Sequence, residues 1–97
     1  MQYRLSKAAD RDFRKTYAHG IRTFGQKRAA QYSNDMIAAF RHIAENPLLN
    51  RERSDVTPPI RVHVFHSHLI LYRMDERGIL IGRVLHGREN WQRGISW

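Results

Sequence analysis

Residues 60–86, IRVHVFHSHLILYRMDERGILIGRVLH, decide the fold. Three β-rich runs lie within them: Ile60–Phe65, Leu69–Met74 and Ile79–His86. The first gap is His66-Ser67-His68 and the second is Asp75-Glu76-Arg77-Gly78, hairpin-length connections with turn chemistry. Consecutive antiparallel strands are therefore predicted. Working upstream, Leu48–Pro59 is polar, charged and closed by two prolines, which reads as a loop. Before it, Ala29, Tyr32, Met36, Phe40 and Ile43 recur at helical spacing on one stripe, and the pattern stops at Asn46-Pro47. Phe13, Tyr17, Ile21 and Phe24 form an earlier stripe, opened by Ser6 as N-cap and closed by Gly25, with Gly20 inside it as a point of bending or fraying. Residues 2–5 alternate and read as a short strand.

The order β-α-α-β-β-β predicts an α+β fold. A helical hairpin packs on one face of a mostly antiparallel sheet of about four strands. Two helices cover one face only, so the other is polar, covered by the tail, or a binding surface. At 97 residues the chain reads as one domain, 1–97, with 87–97 as a C-terminal tail or short helix. A Rossmann unit or a barrel does not fit this length. The absence of cysteine excludes a disulfide framework, a thiolate zinc site and a cysteine nucleophile. No apolar run has signal-peptide or membrane-span length, so a cytoplasmic chain without membrane contact is expected.

The net charge is +8, and 14 of the 17 basic residues are arginine. Guanidinium pairs bidentately with carboxylate and phosphate and is weakly hydrated, which points to an acidic partner. Nucleic acid, an acidic protein and a nucleic-acid enzyme's substrate all satisfy that. Arg61 and His63 share one strand face, and Arg73 and Arg83 interrupt apolar strands. This is either a cationic binding face or the solvent side of a sheet. His63, His66, His68 and His86 lack metal-site spacing and a completing carboxylate, so no metal site is predicted. A metal-independent ribonuclease would draw its acid, base and cations from Arg61, His63, Arg83, His86 and Arg88, although no spacing is diagnostic. Trp91 in the polar tail fits a fold-back over the sheet, whereas Trp97 fits exposure or partner contact.

Tyr3-Arg4-Leu5-Ser6, Ala9, Asp12-Phe13, Phe24-Gly25, Ala44-Glu45-Asn46-Pro47, Ser67-His68, Leu71-Tyr72-Arg73 and Arg83-Val84-Leu85-His86-Gly87-Arg88 occur in this order. In them the chain resembles the ParE toxins of the RelE/ParE toxin–antitoxin superfamily, from residue 3 to about residue 88. The resemblance implies the toxin of a type II system that inhibits DNA gyrase by binding, without catalysis and without a cofactor. It also implies a hetero-oligomer with a ParD-like antitoxin, whose acidic C-terminal region lays an apolar helix on the helical hairpin and an extended segment along the sheet.

For antitoxin contact the candidates are Tyr17, Ile21, Tyr32, Met36, Arg61 and Arg73, though packing in the chain's own core is the favoured reading of the first four. For the target-inhibiting surface they are Arg83, His86, Arg88 and Trp91, which meet at the end of the last strand. The RelE-like branch instead cleaves messenger RNA on the ribosome. Arg61 and His63 match its basic positions, with Arg83 and His86 as further candidates, but Ile70 stands where an arginine is expected and the tail has no tyrosine. An mRNA endoribonuclease of that branch, or a non-toxic binding module of the same fold, are the alternatives. Direct nucleic-acid binding is secondary in this reading.

Overall fold

The computed structural model describes residues 1–87 together with Glu89, Trp91 and Gln92. The elements are β1 (Tyr3–Leu5), α1 (Lys7–Phe24), α2 (Gln26–Glu45), β2 (Glu52–Arg53), β3 (Ile60–Phe65), β4 (His68–Asp75) and β5 (Gly78–His86). They form one sheet in the order β1-β5-β4-β3-β2, antiparallel except where β1 lies parallel to β5.

Ser6 sets the start of α1 as its sequence suggests. Its Oγ accepts from the Ala9 amide at 3.0 Å and also donates to the Gly82 carbonyl at 2.7 Å, joining helix cap to strand. Contrary to the expected bend, α1 runs unbroken through Gly20. A Cβ there would stand 3.2 Å from the Ala29 Cβ, so the glycine lets α2 pass close instead of weakening α1. Gly25, at φ 88°, ends one helix and begins the next.

Both helices lie on one face of the sheet. Ala9, Met36, Phe40, Ile43 and Ala44 meet Ile70, Tyr72, Ile79, Ile81 and Val84 in the main core. In β5 the core residues change from odd to even positions because Tyr72 pairs with Ile81 but Leu71 pairs with Arg83. Gly82 is the extra residue of this bulge, and beyond it every side chain changes face. On the opposite face Ile60, Leu71 and Leu85 form a smaller cluster under Val56, Val62, Leu69 and Trp91.

The sheet has five strands where about four were expected. Glu52–Arg53 pairs with Arg61 and Ile60 inside the segment read as a loop, and two polar residues carry no periodicity to reveal it. The first hairpin turn is also shorter, because His68 belongs to β4 and pairs with both Phe65 and His86. Most of the expected tail or helix at 87–97 lies outside the described residues, as do the Arg88 and Trp97 readings; Gly87, Glu89, Trp91 and Gln92 are in turns and bends.

Candidate functional site

A groove of about 730 Å³ opens between the helical hairpin and the start of β4 and the end of β5. Phe24, Ala29, Tyr32 and Val84 give it apolar wall, while Asp12, His19, His68, Arg83, His86 and Glu89 give it polar wall. On the strand side of the groove, the His68 and His86 rings meet edge to face with centroids 5.5 Å apart. The Tyr32 hydroxyl lies 2.7 Å from His68 Nδ1. Burial, reinforced by His86 and His19 and opposed by Glu89, lowers the His68 pKa, and burial raises that of Tyr32. Both shifts favour the neutral forms, so the contact joins a phenol to an imidazole, with the His68 tautomer setting which of them donates.

Arg83 lies at the groove's inner edge. Its Nε and a terminal nitrogen donate to Asp12 at 2.7 and 3.1 Å, and the Val84 amide donates to the same carboxylate at 3.0 Å. β1 ends at Leu5, level with Ile81 of β5, so the carboxylate from α1 satisfies a strand edge that β1 no longer covers. The hydrogen-bonded carboxylate holds the Arg83 pKa above its ordinary value.

Arg61 and His63 are occupied elsewhere. The Arg61 guanidinium donates to the Asn50 carbonyl. The Asn50 side-chain amide donates to His63 Nδ1 at 2.9 Å and to the Tyr72 hydroxyl at 3.2 Å, and that hydroxyl donates to the Pro47 carbonyl at 3.1 Å. Together these bonds tie the segment after α2 to the sheet. Burial and the nearby His42 lower the His63 pKa, in keeping with a neutral ring accepting from the amide. Through Ile70, His63 is in register with Val84, two strand spacings or about 10 Å away. Among the described residues the ribonuclease candidates thus form two separate sets, Arg61 with His63 and Arg83 with His86.

Of the expected target surface, Arg88 lies outside the described residues and the other three do not converge. Arg83 and His86 border the groove, whereas Trp91 is half-buried on the opposite face with the Arg53 guanidinium 5.1 Å from its ring centroid. Gly87, whose amide donates to the Ser67 carbonyl at 2.7 Å, marks where the chain leaves the strand before Trp91 packs back on the smaller cluster, as its fold-back reading anticipated.

Among the expected antitoxin contacts, Met36 is corrected: it is fully buried between helix and sheet and has no surface to offer. Tyr17 is half-buried, Ile21 is exposed and Tyr32 lines the groove. Arg61 shares the register of core Tyr72, while Arg73, one residue on, belongs to the other face, so these two do not adjoin on one surface.

Asp12, Asn50 and His68 are the residues that sequence reasoning did not place in the site. Strand parity could have found His68, since a two-residue turn puts it on the same face as Ile70 and Tyr72. An arginine inside an apolar strand calls for a carboxylate but does not say which one. Asn50 has no comparable signal, because its role depends on the path of the loop.

Residues 3–91 match the family model for the ParE toxin of the type II toxin–antitoxin system parDE. The chain belongs to the ParE toxin family. Among ParE relatives, Toxin ParE1 of Caulobacter vibrioides is 31% identical over 88 residues, spanning 91% of each chain. Toxin ParE3 of the same organism is 33% identical over 66 residues, or 68% of this chain and 66% of that one. The fold is shared with a solved chain described as a chromosomal ParDE system from P. aeruginosa, at a TM-score of 0.77 and 17% identity over 89% of this chain and 95% of that one. The ParE match includes Ser6, Asp12, the groove and the Asn50 network. Among the described residues, no helix is long and apolar enough to cross a membrane.

Proposed function

We propose that this ParE-family toxin inhibits DNA gyrase by binding it, and that a ParD-like antitoxin neutralises it by occupying the groove between the helical hairpin and β5. The observation that carries this reading is the family match over residues 3–91. The groove suits an amphipathic helix: Phe24 is 60% exposed and stands with Ala29, Tyr32 and Val84 as apolar anchor surface, with charged groups around it. The +8 charge draws in an acidic, initially unfolded segment that orders on binding.

Catalysis is the less supported alternative. Arg61 and His63 are tied to Asn50, Arg83 is tied to Asp12, and the two sets are apart. A general acid and base acting on one phosphate need to converge on it. Expression of the free toxin discriminates the readings through two assays: supercoiling and DNA cleavage by purified gyrase, and translation-dependent mRNA cleavage. Gyrase-linked DNA breaks with intact mRNA are expected. Cut mRNA with unaffected gyrase refutes the proposal, and the absence of both effects indicates a non-toxic binding module.

A further inference from the structure

The outward face of α1 carries a band of charge of which only Lys15 reaches the rim of the groove. At about 100° per residue, Lys7, Arg11, Arg14, Lys15 and Arg22 fall within an arc of about 100°, with Ala18 the remaining residue in it. All six are exposed. The arc points away from the core, which Ala9 and Phe13 face, and from the Gly20–Ala29 approach between the helices. From Lys7 to Arg22 the row runs about 22 Å at 1.5 Å per residue.

Within the helix this arrangement is unfavourable. Lys7 and Arg11, and Arg11 and Lys15, are like charges four residues apart, and Lys7 occupies the first turn, at the positive end of the helix dipole. Arg14 has an exposed partner in Asp10 at 3.1 Å. Lys7, Arg11, Lys15 and Arg22 have no ion-pair partner among the described residues. A face kept only for solubility gains from mixed signs, whereas this one has a single sign in a band along the helix.

We infer that the outward face of α1 is a binding surface for the phosphate backbone of duplex DNA. A protein partner needs an apolar anchor at the centre of its interface, and this arc has only the methyl group of Ala18. Single-stranded RNA is gripped by stacking its bases on aromatic side chains, and the arc contains none. A rigid row of cations fits a rigid row of phosphates, positioning the protein on the duplex without reading its sequence. The inference stands on α1 alone and holds whether or not gyrase is the target.

The test is fluorescence-anisotropy binding of the purified full chain to a 20-base-pair duplex across a salt series. Five phosphate contacts give a slope of log K against log salt of about −4.5, an affinity loss of about 500-fold between 50 and 200 mM salt. Lys7→Gln with Arg11→Gln leaves three contacts, reducing that loss to about 40-fold. Arg51→Gln with Arg77→Gln removes the same charge from exposed positions off the helices and keeps the original slope. Circular dichroism checks that each variant remains helical; should the first pair fail to fold, Arg14→Gln with Arg22→Gln makes the same comparison. The inference is overturned if the duplex does not bind, if the Arg51/Arg77 pair lowers the slope as much as the α1 pair, or if single-stranded RNA or a poly-glutamate peptide binds the α1 face as tightly as the duplex.

Discussion

Replacing Asp12 with alanine probes the contact that fixes α1 to the far end of β5. The carboxylate accepts three hydrogen bonds, two from the Arg83 guanidinium and one from the Val84 amide, at 2.7 to 3.1 Å. The side chains of Arg83 and Asp12 are 25% and 16% exposed, so water replaces the lost acceptor only in part. Breaking a fully buried pair by removing one partner costs about 3–5 kcal/mol. The partial exposure of Arg83 reduces that cost, but the stranded Val84 amide adds about 1–3 kcal/mol of its own. Alanine's better helix propensity returns up to about 0.7 kcal/mol. A net loss of about 3 kcal/mol follows, which lowers the melting temperature of a domain this size by about 12–15 °C. Asp12→Asn keeps one acceptor oxygen and should lose about half as much.

Urea and thermal unfolding of Asp12→Ala, Arg83→Ala and the double variant form the decisive cycle. If the geometry is right, the double variant is more stable than the sum of the single losses predicts, by at least 1 kcal/mol, as expected for directly coupled partners. A loss under 0.5 kcal/mol for Asp12→Ala, or strict additivity with Arg83→Ala, would reduce the contact to an ordinary surface pair and refute the reasoning.

Three further outcomes follow from the same structure. Ser6→Ala removes the α1 cap and the bond to the Gly82 carbonyl together, and should cost about 1–2 kcal/mol in urea unfolding, more than a cap alone in an isolated helix. Acidification should destabilise the fold before the carboxylates titrate. His63 and His68 have folded-state pKa values below the ordinary 6.5, so the unfolded chain takes up protons first; their contribution is fully present above pH 6.5 and is lost as pH falls through the lower folded values. Urea midpoints at pH 7.5 and 5.5 should show this, with a smaller difference in His68→Gln. Phe24→Ser, at an exposed position in the groove, should change stability by less than 0.5 kcal/mol but weaken antitoxin binding by about 30-fold in calorimetry, the loss of one anchor of about 2 kcal/mol.

The sequence is legible where periodicity is long and unlegible where position depends on a single insertion or a polar contact. The α2 stripe and the β3 and β4 runs have enough turns or alternations to show which residues face inward, whereas Ile21 and Phe24 of the α1 stripe are exposed. The Gly82 bulge has no such signal, yet it decides that Ile79, Ile81 and Val84 share the core and so changes which face every residue beyond it occupies. Assigning Arg83, His86 and Trp91 to one surface treated sequence proximity at a strand end as spatial proximity. The chain leaves the strand at Gly87, and Trp91 crosses to the other face. Met36 was a candidate for partner contact because an apolar stripe looks the same whether it meets a partner or its own sheet. Only its complete burial distinguishes the two.

The arginine excess is thereby divided by function within the fold. Arg4 pairs with Asp75, Arg53 with Asp55 and Arg83 with Asp12, while Arg61 binds the Asn50 carbonyl. Arg4 and Arg83 use the planar fork to join segments distant in sequence, so replacement by lysine there would lose bidentate geometry even with charge retained. The row on α1 is different: lysine and arginine are mixed there and are exposed to solvent without a matching set of carboxylates. A phosphate row asks for charge at regular rise rather than for a fork, and lysine satisfies that as well as arginine does. Lys7→Arg and Lys15→Arg should therefore leave the salt slope for duplex DNA unchanged, whereas Arg83→Lys should destabilise the fold. If lysine at position 83 were tolerated and arginine on α1 altered the slope, the division between structural and partner-facing cations would be wrong.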